Sequence, residues 1–394
     1  MKIRNNTSKS ICLGSLFFTA MLLATNLSAA DNPVTENFSF QPGQLLNLDL
    51  PGGGSIMIEG WDQPGIEVTY GDRNSNLDRY DIQFETNADG LSINADLLKS
   101  YNNSSLYFSL RVPRKMDLDF YTAGGALELT GLNGHFSGKT GGGTLRIDDV
   151  TGELDLRTGG GRILVQNSVV DGQVRTGGGK VLVENVTGDL QASSGGGTVT
   201  YKNFQSKDGK ITGPNKSKLE GASAETILIS NQGGKINVEE APEGADVYTG
   251  GGKIRVKAAN RFVAARTGGG DIDIDILEGW VEAKTGAGEI EVFVVQNTPD
   301  KGDINLTSGN GDIVLTLPSD FSMDLFVELG VTNNNNEKYT LHSDFDIDIE
   351  TDDQWDYSRG TPRKFTHGSA KLNGGDHRVV ISTTNGNVTL RMAD

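Results

Sequence analysis

The 394-residue chain contains very little cysteine, proline or histidine. It has one cysteine, Cys12, four histidines and only 10 prolines, whereas glycine contributes 53 residues. Glycine at this level, without an every-third-residue period and with little proline, excludes a collagen-like chain and argues against Pro/Gly-rich disorder. The histidines have no metal-ligand spacing. The sequence therefore predicts neither a metal site nor a cofactor.

Positive charge is also scarce. The chain has 35 Lys and Arg against 52 Asp and Glu, a formal net charge of −17. Because contact with phosphate needs a positive surface, this balance argues against nucleic-acid binding. No stretch after residue 30 approaches the roughly 18 consecutive apolar residues of a membrane-spanning helix. We therefore expect no transmembrane segment in the mature chain.

Residues 1–30 have the layout of a secretory signal peptide. Lys2 and Arg4 precede an apolar run from Ile11 to Leu23, and small residues follow directly before Asp31. Cleavage there would remove Cys12, so the mature chain could form no disulfide. The sequence predicts an exported protein in the periplasm, on the cell surface or secreted.

The rest of the chain is dominated by one repeated phrase, Thr-Gly-Gly-Gly followed by alternating polar and apolar residues. It recurs with a constant 18-residue period, broken only by one slightly longer spacing before the seventh copy. The copies begin at Thr122, Thr140, Thr158, Thr176, Ser194, Thr212, Asn231, Thr249, Thr267 and Thr285. A fixed period of this kind is the signature of a repeat architecture, in which neighbouring repeats complete one core.

Within one repeat the pattern resolves into two short strands and two glycine-containing turns. Leu145 and Ile147 fall on one face of the first strand, with Arg146 between them on the other, and Leu154 and Leu156 repeat this alternation in the second strand. Stacking such repeats would place like residues above like in a narrow core. We therefore predict an all-β fold, a parallel β-helix or β-solenoid with 18-residue coils.

The ends of the chain differ from its middle. Longer alternating strands and polar linkers follow Asp31, and similar strands follow Phe321. We expect a β-rich N-terminal capping region at 31–120, a β-solenoid of about ten coils at 121–320 and a β-rich C-terminal capping region at 321–394. Such caps would protect the open strands at each end of the stack.

The repeated phrase itself has a structural interpretation. Glycines at one corner of each coil would let neighbouring backbones approach closely, and the threonines would form a ladder of hydroxyl groups. A phosphate-binding loop would need a helix after the glycines, whereas each run enters a strand. Calcium-binding β-rolls have an Asp after the glycine turn, and Asp271 lies at that position in one repeat of this chain. Most other repeats have Thr or a cation there, which argues against calcium binding.

One surface combines positive charge with aromatic rings. The residue before the Thr is a cation in five repeats, and two aromatic residues lie in equivalent, outward-predicted positions of consecutive repeats. The cations are Lys139, Arg157, Arg175, Arg266 and Lys284, and the aromatic residues are Phe262 and Trp280. Exposed rings beside cations suit an anionic or neutral glycan. Alternatively, the cations pair with acidic neighbours such as Asp155 and Glu282 and only keep the surface soluble.

Several phrases resemble a known family. The segment Leu48–Asp62, with Pro51-Gly52-Gly53-Gly54 at its centre, the repeated Thr-Gly-Gly-Gly and the ending Leu372–Val388 look like the bacterial putative-adhesin family of exported β-solenoids. The resemblance covers nearly all of the mature chain. It implies a right-handed β-helix in the cell envelope or outside it, with no established activity, and it transfers no functional residues.

Taken together, these features predict a non-enzymatic exported β-solenoid, an adhesin or cell-envelope interaction protein that binds glycan or protein along its flank. The binding residues would be Arg157, Arg175, Phe262, Arg266, Trp280 and Lys284. The alternative is a carbohydrate-active enzyme, a lyase or hydrolase, built on a β-helix. A deep groove with paired carboxylates would favour that alternative, whereas a smooth rod would count against it.

The two-faced strand assignment can be tested with neighbouring substitutions. Ile147→Asp would place a charge in the narrow core and should lower the free energy of unfolding by several kcal/mol. Arg146→Asp, one residue away on the outward face, should be nearly neutral. Equal losses of melting temperature in the two variants would contradict the assignment.

Overall fold

The structure, a computed structural model, describes residues 33–98, 105–206, 226–295, 302–335, 338–358 and 360–393. The chain divides into two compact units, Met1–Val170 and Asp171–Asp394, here called the N-terminal and C-terminal units. The predicted signal peptide and Cys12 lie outside the described residues. Within them the only helical segment is one 3-10 turn, Leu77–Arg79, so the all-β class is confirmed. None of the helical structure described meets the length and hydropathy of a membrane-spanning helix.

The described residues of the N-terminal unit form ten complete strands. They are β1 (Val34–Phe38), β2 (Leu45–Leu50), β3 (Ser55–Trp61), β4 (Ile66–Asp72), β5 (Tyr80–Thr86), β6 (Gly90–Leu97), β7 (Leu106–Pro113), β8 (Asp117–Thr122), β9 (Leu127–Thr140) and β10 (Leu145–Thr158). The next strand, β11 (Ile163–Thr176), includes the last residues of this unit.

The C-terminal unit contains the remaining strands, most of them shorter. They are β12 (Val181–Thr187), β13 (Leu190–Ser194), β14 (Val199–Gln205), β15 (Ile227–Asn231), β16 (Ile236–Val238), β17 (Ala245–Thr249), β18 (Ile254–Val256), β19 (Phe262–Thr267), β20 (Ile272–Leu277), β21 (Trp280–Thr285), β22 (Ile290–Val294), β23 (Ile304–Ser308), β24 (Ile313–Pro318), β25 (Met323–Thr332), β26 (Leu341–Ser343), β27 (Asp348–Thr351), β28 (Arg363–Leu372), β29 (His377–Thr384) and β30 (Val388–Ala393).

Strands of successive repeats pair in parallel, in the register that the 18-residue period requires. In the N-terminal unit β10 pairs with β9 along its whole length, from Leu145 beside Leu127 to Thr158 beside Thr140. In the C-terminal unit β17 pairs with β19 and β18 with β20 at the same offset. This parallel pairing is compatible with the expected β-solenoid.

The predicted alternation of buried and exposed residues is confirmed. Leu145, Ile147, Leu154 and Leu156 are each fully buried, whereas Arg146 between them is exposed. The corresponding apolar residues two repeats later and near the far end are buried as well: Val181, Val183, Val186, Leu190, Ala192, Ile272, Ile274, Leu277, Val281 and Ala283. The core is therefore a column of aliphatic side chains that continues from repeat to repeat within each unit.

The threonine at the start of each repeat is buried, and its hydroxyl group joins two glycine turns. The Thr158 hydroxyl donates to the carbonyl oxygen of Gly143 in the preceding repeat, at 2.8 Å, and accepts from the N–H of Gly161 in its own repeat, at 3.1 Å. The same donation, at 2.6 to 3.1 Å, is made by Thr122, Thr140, Ser194, Thr249, Thr267, Thr285, Ser308 and Thr383. The threonines lie in register on adjacent strands, as the expected ladder requires, and each of these hydroxyls bonds to backbone.

The first and third glycines of the phrase are required by this close stacking. A Cβ atom on Gly161 would overlap the carbonyl oxygen of Gly143, whereas a Cβ on the middle glycine, Gly160, would meet nothing within 4 Å among the described residues. Ala287 occupies the middle position of the last regular phrase, which shows that a side chain fits there. Repeats are therefore packed backbone against backbone at two of the three glycines.

The pairing of β14 with β16 spans about two repeat lengths of sequence. Val199–Tyr201 of β14 pairs directly with Ile236–Val238 of β16, an offset of 37 residues, and Asn231 Oδ1 accepts from the N–H of Ser194 at 3.0 Å. The repeat predicted at Thr212 falls within residues 207–225, which lie outside the described part of the chain.

Both units interrupt one repeat with a long excursion that returns in register. In the N-terminal unit β2 pairs with β8, Leu45 beside Asp117, and β6 and β7 add parallel strands on the outer side of β2 and β3. Antiparallel strands then cover these edges, β5 on β6 and β4 on β7. In the C-terminal unit β23 pairs with β29, Ile304 beside Val379, and β25 and β26 lie beyond β29 and β30.

The glycine turns make a matched pair of substitutions. Gly161→Ala should lower the free energy of unfolding by about 3 kcal/mol, because the new methyl group collides with a backbone carbonyl that cannot rotate away. Gly160→Ala, one residue earlier, should change it by no more than about 0.5 kcal/mol. Urea unfolding of both variants measures the difference, and a large loss in Gly160→Ala would show that the middle glycine also packs.

Candidate functional site

The residue that precedes the Thr of each repeat points outward, and in the N-terminal unit these residues form a row across the strands. Tyr121 on β8 lies beside Lys139 on β9, and Lys139 lies beside Arg157 on β10. All three side chains are exposed, Tyr121 by 38%. The pairing of Lys139 with Arg157 in one row is as the 18-residue period predicts.

The row continues in the other direction onto the two strands stacked before β8. Tyr121 lies beside Asp49 on β2, and Asp49 lies beside Asn94 on β6. These five residues, Asn94, Asp49, Tyr121, Lys139 and Arg157, are here called the N-terminal row. The row crosses five parallel strands and presents one side chain from each.

A second set of outward side chains runs beside the N-terminal row, two residues earlier on the strands. It consists of Asn47, Asp119, Ser137 and Asp155, here called the acidic row. The Ser137 hydroxyl donates to Asp119 at 3.1 Å. Both rows line a depression of about 560 Å³ on the face of the sheet. The surface thus has carboxylate, amide and hydroxyl groups alongside cations and one aromatic ring.

Charge interactions hold the two cations of the N-terminal row in place. The Lys139 ammonium lies 5.2 Å from the centroid of the Tyr121 ring, a cation–π contact, and Arg157 Nε donates to Asp155 Oδ1 at 3.4 Å. The second of these contacts is the acidic pairing expected as the alternative to ligand binding, but half of the Arg157 side chain remains exposed. An exposed pair of this kind contributes no more than about 1 kcal/mol and can exchange for a ligand.

The C-terminal unit repeats part of this pattern with a different outcome. Tyr248, Arg266 and Lys284 lie in register on β17, β19 and β21. Arg266 is paired with both Asp246, at 3.5 Å, and Glu282, at 3.2 Å, and only 26% of its side chain is exposed. Its charge is therefore neutralised within the protein.

Ala264 on β19 lies beside Asp246 on one neighbouring strand and beside Glu282 on the other. It is fully buried although it faces outward. The Arg266 side chain reaches both flanking acids across this small residue. Lys284 and, on β11, Arg175 are exposed, and among the described residues neither has a carboxylate partner within 4 Å. Of the predicted cations in the C-terminal unit, Arg266 thus serves the fold, and Arg175 and Lys284 stay candidates.

The prediction that Phe262 is exposed is wrong. Phe262 and Trp280 do lie in register, but Phe262 is fully buried and stacks on Trp280 with ring centroids 4.7 Å apart and planes at 10°. Its other side lies over Gly244, where any Cβ would collide with the ring. Trp280 is half-buried. The missing side chain at Gly244 opens the space that draws Phe262 inward, so this pair belongs to the packing of the fold.

Three acidic side chains on and just before β20, Asp271, Asp273 and Asp275, are also paired with cations of the protein. Lys253 Nζ lies 2.6 Å from Asp273 and 3.8 Å from Asp271, and Arg255 is paired with Asp275. The hydrogen bond to Asp273 raises the pKa of Lys253, with desolvation opposing it. Among the described residues no group of three His, Cys, Asp or Glu side chains could hold a metal ion.

Sequence reasoning missed the residues that complete the N-terminal row. Tyr121 and Tyr248 occupy the position before the repeat's Thr, the same position as the predicted cations, so the repeat alignment contained the signal. Asp49 lies one residue earlier than an alignment of Pro51-Gly52-Gly53-Gly54 with the repeat predicts, because Leu50 and not Pro51 lies beside Thr122. Asn94 could not have been found from the repeat alignment, because its strand pairs with β2 at an irregular offset, with Gly90 beside Leu45.

No protein-family model matches the chain, and no curated protein matches it. Among solved structures, the chain is similar to a putative adhesin from Bacteroides fragilis, at 14% identity over 66% of this chain and 96% of that one, with a TM-score of 0.36. It is also similar to a putative lipid binding protein from Parabacteroides distasonis, at 14% identity over 67% and 97%, with a TM-score of 0.32. A putative cell adhesion protein from Clostridium sporogenes matches at 8% identity over 92% and 100%, with a TM-score of 0.19. At these scores the similarities carry no argument about function.

The structural role of Phe262 can be separated from ligand binding. Phe262→Ala should lower the free energy of unfolding by about 3 to 5 kcal/mol, because it empties a buried site between Gly244 and Trp280. Tyr248→Ala, which removes an exposed ring from the preceding repeat, should cost less than about 1 kcal/mol. Thermal unfolding followed by Trp fluorescence measures both, and an unchanged melting temperature for Phe262→Ala would return this ring to the list of binding candidates.

Proposed function

We propose that the protein is a non-enzymatic glycan-binding protein and that the N-terminal row, with the acidic row beside it, is its binding surface. The observation that carries the proposal is an exposed aromatic ring, Tyr121, set among hydrogen-bonding groups on a rigid sheet. Sugar rings have apolar faces that stack on aromatic rings, and hydroxyl edges that bond to carboxylates, amides and cations. A protein partner on this flank is the second possibility left by the sequence.

The charges of the surface favour a neutral glycan over an anionic one. Asp49, Asp119 and Asp155 face the same depression as Lys139 and Arg157. Three carboxylates against two cations would repel a polyanion, and the whole chain carries −17. Carboxylates are, however, strong acceptors for sugar hydroxyl groups. We therefore assign the surface to uncharged sugars.

The proposal also covers where the protein is located, the handedness of its coils and its role as an adhesin. The pattern of residues 1–30 supports export to the periplasm, the cell surface or the medium. We propose that the repeats wind as a right-handed β-helix, as crossovers between parallel strands of one sheet do in nearly all proteins. In that setting a protein with a glycan-binding flank would act as an adhesin or cell-envelope interaction protein.

The carbohydrate-active enzyme remains the alternative from the sequence. The depression has carboxylates, but the described residues that line it form an open surface on the face of the sheet and do not enclose a substrate or exclude water. Release of new reducing ends or unsaturated products from a bound glycan would favour the enzyme over the binding protein.

A glycan array probed with residues 31–394 tests the proposal. Neutral glycans should bind, and Tyr121→Ala should weaken binding about tenfold, the effect of losing roughly 1.4 kcal/mol of stacking. The affinity should change little between low and high salt, because the ligand is uncharged. Arg146→Ala, an exposed residue on the first half of β10, is the matched control and should bind like the parent protein.

Three outcomes would contradict this assignment. No bound glycan would exclude the function, and full binding by Tyr121→Ala would exclude the site. Binding that falls steeply with salt and is confined to acidic glycans would show that the cations act alone and would restore the anionic-glycan hypothesis.

A further inference from the structure

The N-terminal row is oriented across the strands rather than along one of them. Its five residues come one each from β6, β2, β8, β9 and β10, all parallel and in direct register. Neighbouring strands in a sheet lie about 4.8 Å apart. A ligand that follows the row therefore meets a new side chain at each such step.

This spacing is close to the length of one sugar residue in an extended β-1,4-linked chain. Such chains are flat ribbons, with apolar ring faces and with hydroxyl groups along both edges. We propose, building on the function proposed above, that the row binds a linear, neutral β-1,4-linked polysaccharide whose chain crosses the strands with one sugar residue per strand. The repeat period of the protein then matches the repeat period of its ligand.

The distribution of side chains supports a chain rather than a single sugar. Tyr121 is the central residue of the row and supplies the stacking surface. On one side Asp49 and Asn94 offer oxygen acceptors, and on the other Lys139 and Arg157 offer donors. The two ends of the row therefore differ chemically, and this difference would fix the direction in which an asymmetric chain lies.

The acidic row and the size of the depression agree with this orientation. Asn47, Asp119, Ser137 and Asp155 run parallel to the N-terminal row and would meet the hydroxyl groups along one edge of the ribbon. The depression, at about 560 Å³, falls within the ~300–1,000 Å³ of sites for drug-sized ligands and exceeds what one monosaccharide fills.

Calorimetric titration with two size-defined series tests the proposal: cello-oligosaccharides and chito-oligosaccharides of one to six residues. In at least one series the association constant should rise with each residue through five, by roughly two- to tenfold per step, the factor that one net hydrogen bond provides. Equal affinity for the disaccharide and the hexasaccharide would overturn the crossing chain but leave glycan binding intact.

Variants at the ends and centre of the row sharpen the test. Asn94→Ala and Arg157→Ala should each weaken hexasaccharide binding several-fold and weaken disaccharide binding by a smaller factor, because a short ligand centred on Tyr121 has fewer contacts with the ends of the row. Tyr121→Ala should weaken both, and Arg146→Ala neither. If both series fail to bind while branched or α-linked neutral glycans bind on the array, the linear-chain proposal is wrong and the proposed function stands. If no glycan binds in any format, both are wrong.

Discussion

In nearly every repeat that the structure describes, one buried hydroxyl group joins the repeat to the one before it. Thr158, like its equivalents, donates to the carbonyl oxygen of a glycine in the preceding repeat and accepts an N–H from its own turn. Buried backbone groups at a turn need partners, and here a single side chain satisfies two of them. The bond is short, so the turns must approach until only glycine fits. Glycine content, strand register and the stacked aliphatic core all depend on this contact.

The same register places functional side chains. Once equivalent residues of consecutive repeats lie on adjacent strands, any outward position becomes a row, and its composition decides what it can do. In the N-terminal unit the row contains Tyr121 and two accessible cations. In the C-terminal unit Arg266 is held by Asp246 and Glu282, so an equivalent row stabilises the sheet instead. The same register thus leaves the cations accessible in one row and pairs Arg266 with carboxylates in the other.

The period of the sequence predicted the parallel register and the buried faces because these follow from local alternation. It did not predict that the two strands expected in each repeat join into one strand in β9, β10 and β11. Phe262 was wrongly predicted to be exposed because alternation shows only which face of the strand a residue lies on. Its burial depends on Gly244 in the preceding repeat, which has no side chain and so leaves room for the ring. Ser194 bonds directly to Asn231, 37 residues further along the chain, an offset that the 18-residue period does not predict. Asn94 belongs to the N-terminal row because β6, a strand of the long excursion, pairs with β2. The length of that excursion does not follow the 18-residue period. The contacts that could not be predicted from the sequence are those that depend on a missing side chain, as at Gly244, or on an irregular offset between paired strands.

The excursions that leave and rejoin the stack have an evolutionary consequence. Leu45 pairs with Asp117 and Ile304 with Val379, each pair separated by far more chain than one repeat, without disturbing the pairing on either side. The entropy of closing a loop grows only slowly with its length, so such an insertion is thermodynamically inexpensive once its own strands pair. A corner of a repeat can therefore accept new sequence without altering the scaffold, and lineages of this architecture can acquire additional modules while the original surface stays unchanged.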